Sequence, residues 1–72
     1  MKEFDLEAAK NGAAVCTRDG RPARIICYDA KGGGYPIIVL IDDGGIENPV
    51  DVNENGEYFE GCEDEDDLFM AD

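Results

Sequence analysis

Two apolar runs, Arg24-Ile25-Ile26-Cys27-Tyr28 and Tyr35-Pro36-Ile37-Ile38-Val39-Leu40-Ile41, flank the glycine-rich loop Lys31-Gly32-Gly33-Gly34. Both are rich in β-branched or aromatic residues, are bounded by turn residues, and are too short for an amphipathic helix. They read as a β-hairpin. In the second run Ile37, Val39 and Ile41 point to one face and Ile38 and Leu40 to the other, so both faces need cover. Nothing in this hairpin is chemical; it dictates folding.

Upstream, Ala13-Ala14-Val15-Cys16-Thr17 reads as a strand turned back by Arg18-Asp19-Gly20-Arg21, because Asp-Gly favours a tight turn. Phe4 to Gly12 reads as a short helix. Asp5 caps its start, Glu7 and Lys10 complement the dipole, Gly12 suits its exit, and Phe4 with Ala9 forms a staple. A helix this short is not stable alone, so Phe4 and Leu6 must pack on the sheet. Downstream, Asp42-Asp43-Gly44-Gly45 turns into a weaker strand from Ile46 to Asn53, which Pro49 marks as an edge. Asn55-Gly56 is the strongest hairpin signal, with Glu57-Tyr58-Phe59-Glu60 as the returning strand. The expected fold is mainly β: a five-stranded antiparallel meander or SH3-like half-barrel with a short N-terminal helix. It occupies residues 1–62, and 63–72 form an acidic tail with an apolar Leu68-Phe69-Met70 patch.

With 72 residues there is room for one domain and about 3–5 kcal/mol of stability from its core. The longest apolar run falls far short of the roughly twenty residues that cross a bilayer. Met1 to Asp5 lacks the apolar core of a secretion signal, so a cytoplasmic location is expected. Three cysteines without CxxC spacing suit a reducing compartment. All six basic residues lie in the first 31 positions beside five acids, whereas the remainder holds thirteen acids and no base; the net charge is -12. That balance argues against direct binding to nucleic acid or an anionic membrane and favours a basic partner.

Several pieces, in order, carry a resemblance: Phe4-Asp5-Leu6-Glu7, Cys16-Thr17-Arg18-Asp19-Gly20-Arg21, Ala23-Arg24-Ile25, Tyr35-Pro36-Ile37, an Asn-Gly turn, and Asp67-Leu68-Phe69-Met70. The chain resembles a family of short proteins of gut Bacteroidetes and related phages or mobile elements. The resemblance implies no activity. The Gly-rich Lys31 loop and the long acid run depart from it.

Catalysis is limited by what is missing: there is no His, Ser or Gln, and Thr17 is the one aliphatic hydroxyl. The usual nucleophile and base pairings cannot be assembled, and the cysteines lack an activator. Cys27 reads as a small core residue, while Cys16 and Cys62 are left open between buried and exposed. No zinc site and no cofactor is expected. Asp51-Val52-Asn53-Glu54-Asn55-Gly56 matches the first half of an EF-hand loop, but its twelfth position is Cys62 instead of Glu, and a hairpin turn explains the same residues.

Three surfaces remain as candidates. Arg18, Arg21 and Arg24 cluster at a turn suited to an anion, although they also serve to offset nearby acids. Glu65-Asp66-Asp67-Leu68-Phe69-Met70 resembles the motif by which bacterial proteins dock on the DNA polymerase sliding clamp, with Glu65 where Gln is usual; packing of Leu68, Phe69 and Met70 on their own barrel competes with that reading. Ile38 and Leu40 suit a homodimer interface. The sequence therefore favours a non-enzymatic protein-interaction module, a homodimer with a possible partner at its tail. An acidic nucleic-acid-mimicking decoy and a ligand-binding barrel using the arginine turn are the alternatives.

Overall fold

The hairpin centred on the glycine-rich loop forms the backbone of a six-stranded antiparallel sheet. A computed structural model describes residues 1–71. Along the chain these form β1 (Lys2–Glu3), α1 (Leu6–Lys10), β2 (Val15–Thr17), β3 (Pro22–Cys27), β4 (Ile37–Asp43), β5 (Ile46–Val52) and β6 (Leu68–Met70). The strand order is β1-β6-β2-β3-β4-β5. The sheet curls into a half-barrel, mainly β with one short helix.

β4 carries the alternation that its sequence shows. Ile37, Val39 and Ile41 are fully buried, and Ile38 and Leu40 are half-buried on the other face. Strand β3 lies on one side, with Ile25 opposite Val39 and an irregularity between Ile25 and Cys27. On the other side β5 pairs in unbroken register from Ile37↔Val52 to Asp43↔Ile46. A two-residue connection makes Asp43 and Ile46 a hydrogen-bonded pair, so alternate residues of β5 bond to β4. Pro49, on the opposite parity, needs no donor there, and β5 is indeed an edge strand.

The helix matches its sequence signals. Asp5 Oδ1 accepts from the Ala8 amide at 3.1 Å. At the other end the Gly12 amide donates to Ala9 O and the Ala13 amide to Ala8 O, a Schellman exit. Phe4 and Leu6 pack on the Ile37, Val39, Ile41, Val52 and Leu68 cluster. Phe4 also meets the second cluster of Ala9, Val15 and Met70. Fully burying such side chains stabilises by about 1.5–3 kcal/mol each.

Two expectations need correction. Residues 57–60 do not return as a strand: among the described residues between Gly56 and β6 there is a single isolated bridge, Phe59↔Cys62. The turn itself forms, with Gly56 N donating to Asn53 O, Asn53 N to Glu57 O, and the Asn55 and Glu57 amides to Asn53 Oδ1. Beyond it the Tyr58 amide donates to Asp67 Oδ1 and Gly56 O accepts the Leu68 amide, so the chain is drawn towards β6 and leaves the sheet. The other correction concerns the supposed tail. Leu68-Phe69-Met70 lies inside the sheet, between Lys2–Glu3 and Val15–Thr17. Residue 62 is therefore no domain boundary. The physical reason lies in β2, whose three residues are all buried and whose second edge needs a strand. β1 was not expected either, and it completes the far side of β6.

Gly56 joins the helix end to this strand. Its φ of +81° is in the left-handed region, its carbonyl accepts the Leu68 amide, and an added Cβ would lie 2.9 Å from Phe4 Cβ. Gly56→Ala should cost about 2–4 kcal/mol through backbone conformation and crowding, measured as a lower urea midpoint with an unchanged slope. Leu68→Ala should cost about 2–5 kcal/mol, enough to unfold most of so small a core. A tail residue would cost next to nothing, and circular dichroism melts distinguish the two outcomes.

Candidate functional site

The turn between β2 and β3 is where the basic residues of the chain meet its acidic run. Thr17 N donates to Arg21 O and Gly20 N to Thr17 O, with Gly20 at a φ of +89°; this leaves a three-residue turn. The fully buried Thr17 hydroxyl latches it, accepting the Arg21 amide at 3.0 Å and donating to Asp19. Arg18 and Arg21 then reach across to residues 63–67.

Asp67 is the centre of this contact. It is buried, immediately before β6, and its Oδ1 accepts the Tyr58 amide at 2.9 Å. Its Oδ2 accepts the Asp64 amide at 3.0 Å and Arg18 Nη2 at 2.9 Å. Arg18 also pairs with Glu63 at 3.0 Å, and its amide donates to Asp67 O at 2.8 Å. The guanidinium carbon sits 4.9 Å from the centre of the Phe69 ring, a favourable cation–π position. Arg21 binds Asp19 at 2.8 Å and Asp66 at 2.5 Å. Its guanidinium is held further into the charged range by those two carboxylates, Asp19 first. The Thr17 hydroxyl, then Arg21, holds the Asp19 carboxyl below its ordinary value.

The three arginines named from the sequence thus split into two places. Arg18 and Arg21 are together under the acidic loop, and their guanidinium donors already hold carboxylates of the same chain. Arg24 stands apart, paired through two nitrogens with Glu47 across the outer face of the sheet at 2.6 and 2.9 Å. Hydrogen bonding to Arg24 holds Glu47 below the usual carboxylate range. The acidic run is only partly free in solvent: Asp66 and Asp67 are paired and sheltered, while Glu63 is paired but exposed.

Of the apolar residues of the clamp-like hexapeptide, Leu68 and Met70 are core residues and Phe69 alone is half-buried. The residues of the half EF-hand pattern have other partners. Asp51 lies in β5 opposite Ile38, and Asn53 closes its own turn. Among the described residues no three His, Cys, Asp or Glu side chains group as metal ligands. Cys16 is buried, Cys27 half-buried and Cys62 exposed, and all three are free thiols. An open cleft of about 460 Å³ runs between Phe4, Gly56, Cys62, Arg18 and Phe69. No pair of groups in it forms a nucleophile and base. Among the described residues no helix is long and apolar enough to cross a membrane.

Sequence reading missed Asp67, Asp66, Thr17 and the Tyr58 amide as one network. The one local signal is that Asp67 ends the acid run directly before three apolar residues.

A small antiparallel half-barrel whose acidic loop is clasped by its own arginines defines the class of protein. The chain belongs to the family of Haemophilus phage HP1 protein YO09, whose family model matches residues 1–69. This is the phage relation implied by the sequence pattern. No curated protein and no solved structure matches the chain.

Burial pushes the Asp67 carboxyl up, but the Tyr58 amide, Arg18 and the Asp64 amide together outweigh it and hold the group below its ordinary value. A depressed folded value means that the stabilisation is complete above the unfolded value of about 3.9 and is lost as pH falls through the folded one. The melting temperature should therefore drop below about pH 4. Asp67→Asn should cost about 2–3 kcal/mol at pH 7 and flatten that drop; a drop as steep as in the parent would assign it to other groups.

Proposed function

We propose that the protein is a non-enzymatic interaction module of a phage or other mobile element, acting as a homodimer. The observation that carries this is the outer face of β3, β4 and β5. Ile38 and Leu40 lie there on β4, beside the edge strand, with Pro49 opposite Leu40, while Phe4 and Leu6 pack on the inner side. Ile38 and Leu40 are half-buried and belong to neither core cluster. The Arg24–Glu47 pair offsets one acid of this face, which also carries Asp42 and, opposite Ile38, Asp51. Free thiols and a strongly acidic balance support the cytoplasm of a bacterial host as its location. The sequence resemblance supports gut Bacteroidetes as hosts, and the curled antiparallel sheet supports an SH3-like arrangement.

The reading as an acidic decoy has less support, because Glu63, Asp66 and Asp67 are engaged by arginines of the same chain. Sedimentation equilibrium at tens of micromolar should give twice the chain mass, and Leu40→Asp should give the single mass with the fold intact. A parent chain at the single mass would refute the dimer.

A further inference from the structure

Residues 57–67 are a loop of fixed shape whose two aromatic side chains are not used by the fold. Phe59 is 61% exposed and its neighbour Tyr58 40%. Neither belongs to a core cluster. A flexible loop would explain this exposure, but the backbone around the pair is held at alternate residues. The Tyr58 amide is bound by Asp67, the Glu60 amide by the Tyr35 hydroxyl at 2.9 Å, and Cys62 N donates to Phe59 O at 3.0 Å. The carboxylate that anchors this arrangement is itself buried and charged, which is costly unless its partners are well placed. Thus a buried charge, an arginine and a tyrosine hydroxyl fix a loop that contributes no apolar side chain to the interior before Leu68.

The setting of the aromatic pair is strongly negative. Glu57, Glu60, Glu63 and Glu65 surround it in sequence, and Glu60 and Glu65 are exposed without an arginine partner among the described residues. Rigid, exposed aromatics are the side chains that most often anchor protein interfaces, and fixing them beforehand lowers the entropic cost of binding. Surrounding charge selects the partner and steers its approach. A nucleic acid or an anionic lipid surface would be repelled, and a second copy of this chain carries the same net charge of -12. We infer that the Tyr58-Phe59 tip is a docking surface for a basic protein, with Phe59 entering an apolar pocket ringed by lysine or arginine. This rests on the reading of the protein as an interaction module, but not on its being a dimer.

The test uses a displayed library of random linear peptides panned on the immobilised full chain, with binding of the enriched peptides measured by titration. Enriched sequences should carry net positive charge and an aromatic or large aliphatic residue. Their binding should weaken with salt, shift the amide resonances of residues 58–60, and fall by roughly ten-fold or more with Phe59→Ala. Since Phe59 is outside the core, that variant should melt like the parent. Failure to enrich any peptide, enrichment of neutral or acidic ones, or binding indifferent to Phe59→Ala would overturn the inference. Sedimentation of the same samples separates the two surfaces. If Phe59→Ala halves the mass of a dimeric parent, the tip is a self-contact and the inference falls while the dimer stands. If the parent is monomeric yet the peptides behave as expected, the homodimer falls and the docking tip stands.

Discussion

Everything at the acidic end of the molecule depends on one buried carboxylate. Asp67 ties three things that are distant in sequence: the Tyr58 amide nine residues back, the Asp64 amide, and Arg18 at the β2–β3 turn. Without it the contact with that turn would rest on the more exposed Arg18–Glu63 and Arg21–Asp66 pairs and on backbone bonds. The strand would then enter the sheet from a less constrained direction. An ion pair in so sheltered a place is not by itself a gain, because removing charge from water offsets much of the attraction. What it supplies here is position. Two backbone donors and a guanidinium share one carboxyl group, and only one path of the loop allows all three.

The distribution of charge takes on a different meaning once this contact is in place. Counted along the sequence, the bases are confined to the first 31 residues and the acids dominate the rest. Counted in space, Arg18 and Arg21 sit among Glu63, Asp66 and Asp67, and Arg24 spans to Glu47. The segregation is therefore a long-range pairing scheme, in which each half carries what the other lacks. It aligns the beginning of the sheet with its end, and surplus acid is left on the loop tip and the β5 edge.

How much of this the sequence discloses depends on the range of the interaction involved. Local signals were sufficient for the helix, because Asp5, Gly12 and their hydrogen bonds lie within one turn of each other. They were sufficient also for β3 and β4, where alternation in Ile37 to Ile41 sets both the strand and its buried face. The Asn55-Gly56 signal does mark a turn closed between Asn53 and Glu57, but no returning strand follows, because the Tyr58 amide and Gly56 carbonyl are taken by Asp67 and Leu68, partners about ten residues further on. Leu68-Phe69-Met70 is only three residues, too few to show a period, and its partners are β1 and β2 some fifty or more positions away. A short strand of that kind is defined by the slot it fills. The acid run misled for the same reason, since solvation is the ordinary fate of such a run and only the remote arginines change it.

The place of β6 in the sheet has a consequence for the order of events in time. The meander from β2 to β5 pairs neighbours in sequence and needs only short loops to close. β6 must instead insert between β1 and β2, closing a loop that spans most of the chain, and such distant pairings are the slow ones. During synthesis the first five strands emerge with the Val15 edge bare and the space for Leu68 empty. Until β6 is available that edge stays unpaired and the core lacks Leu68, so the pairing that takes longest to close is also one on which the whole core depends.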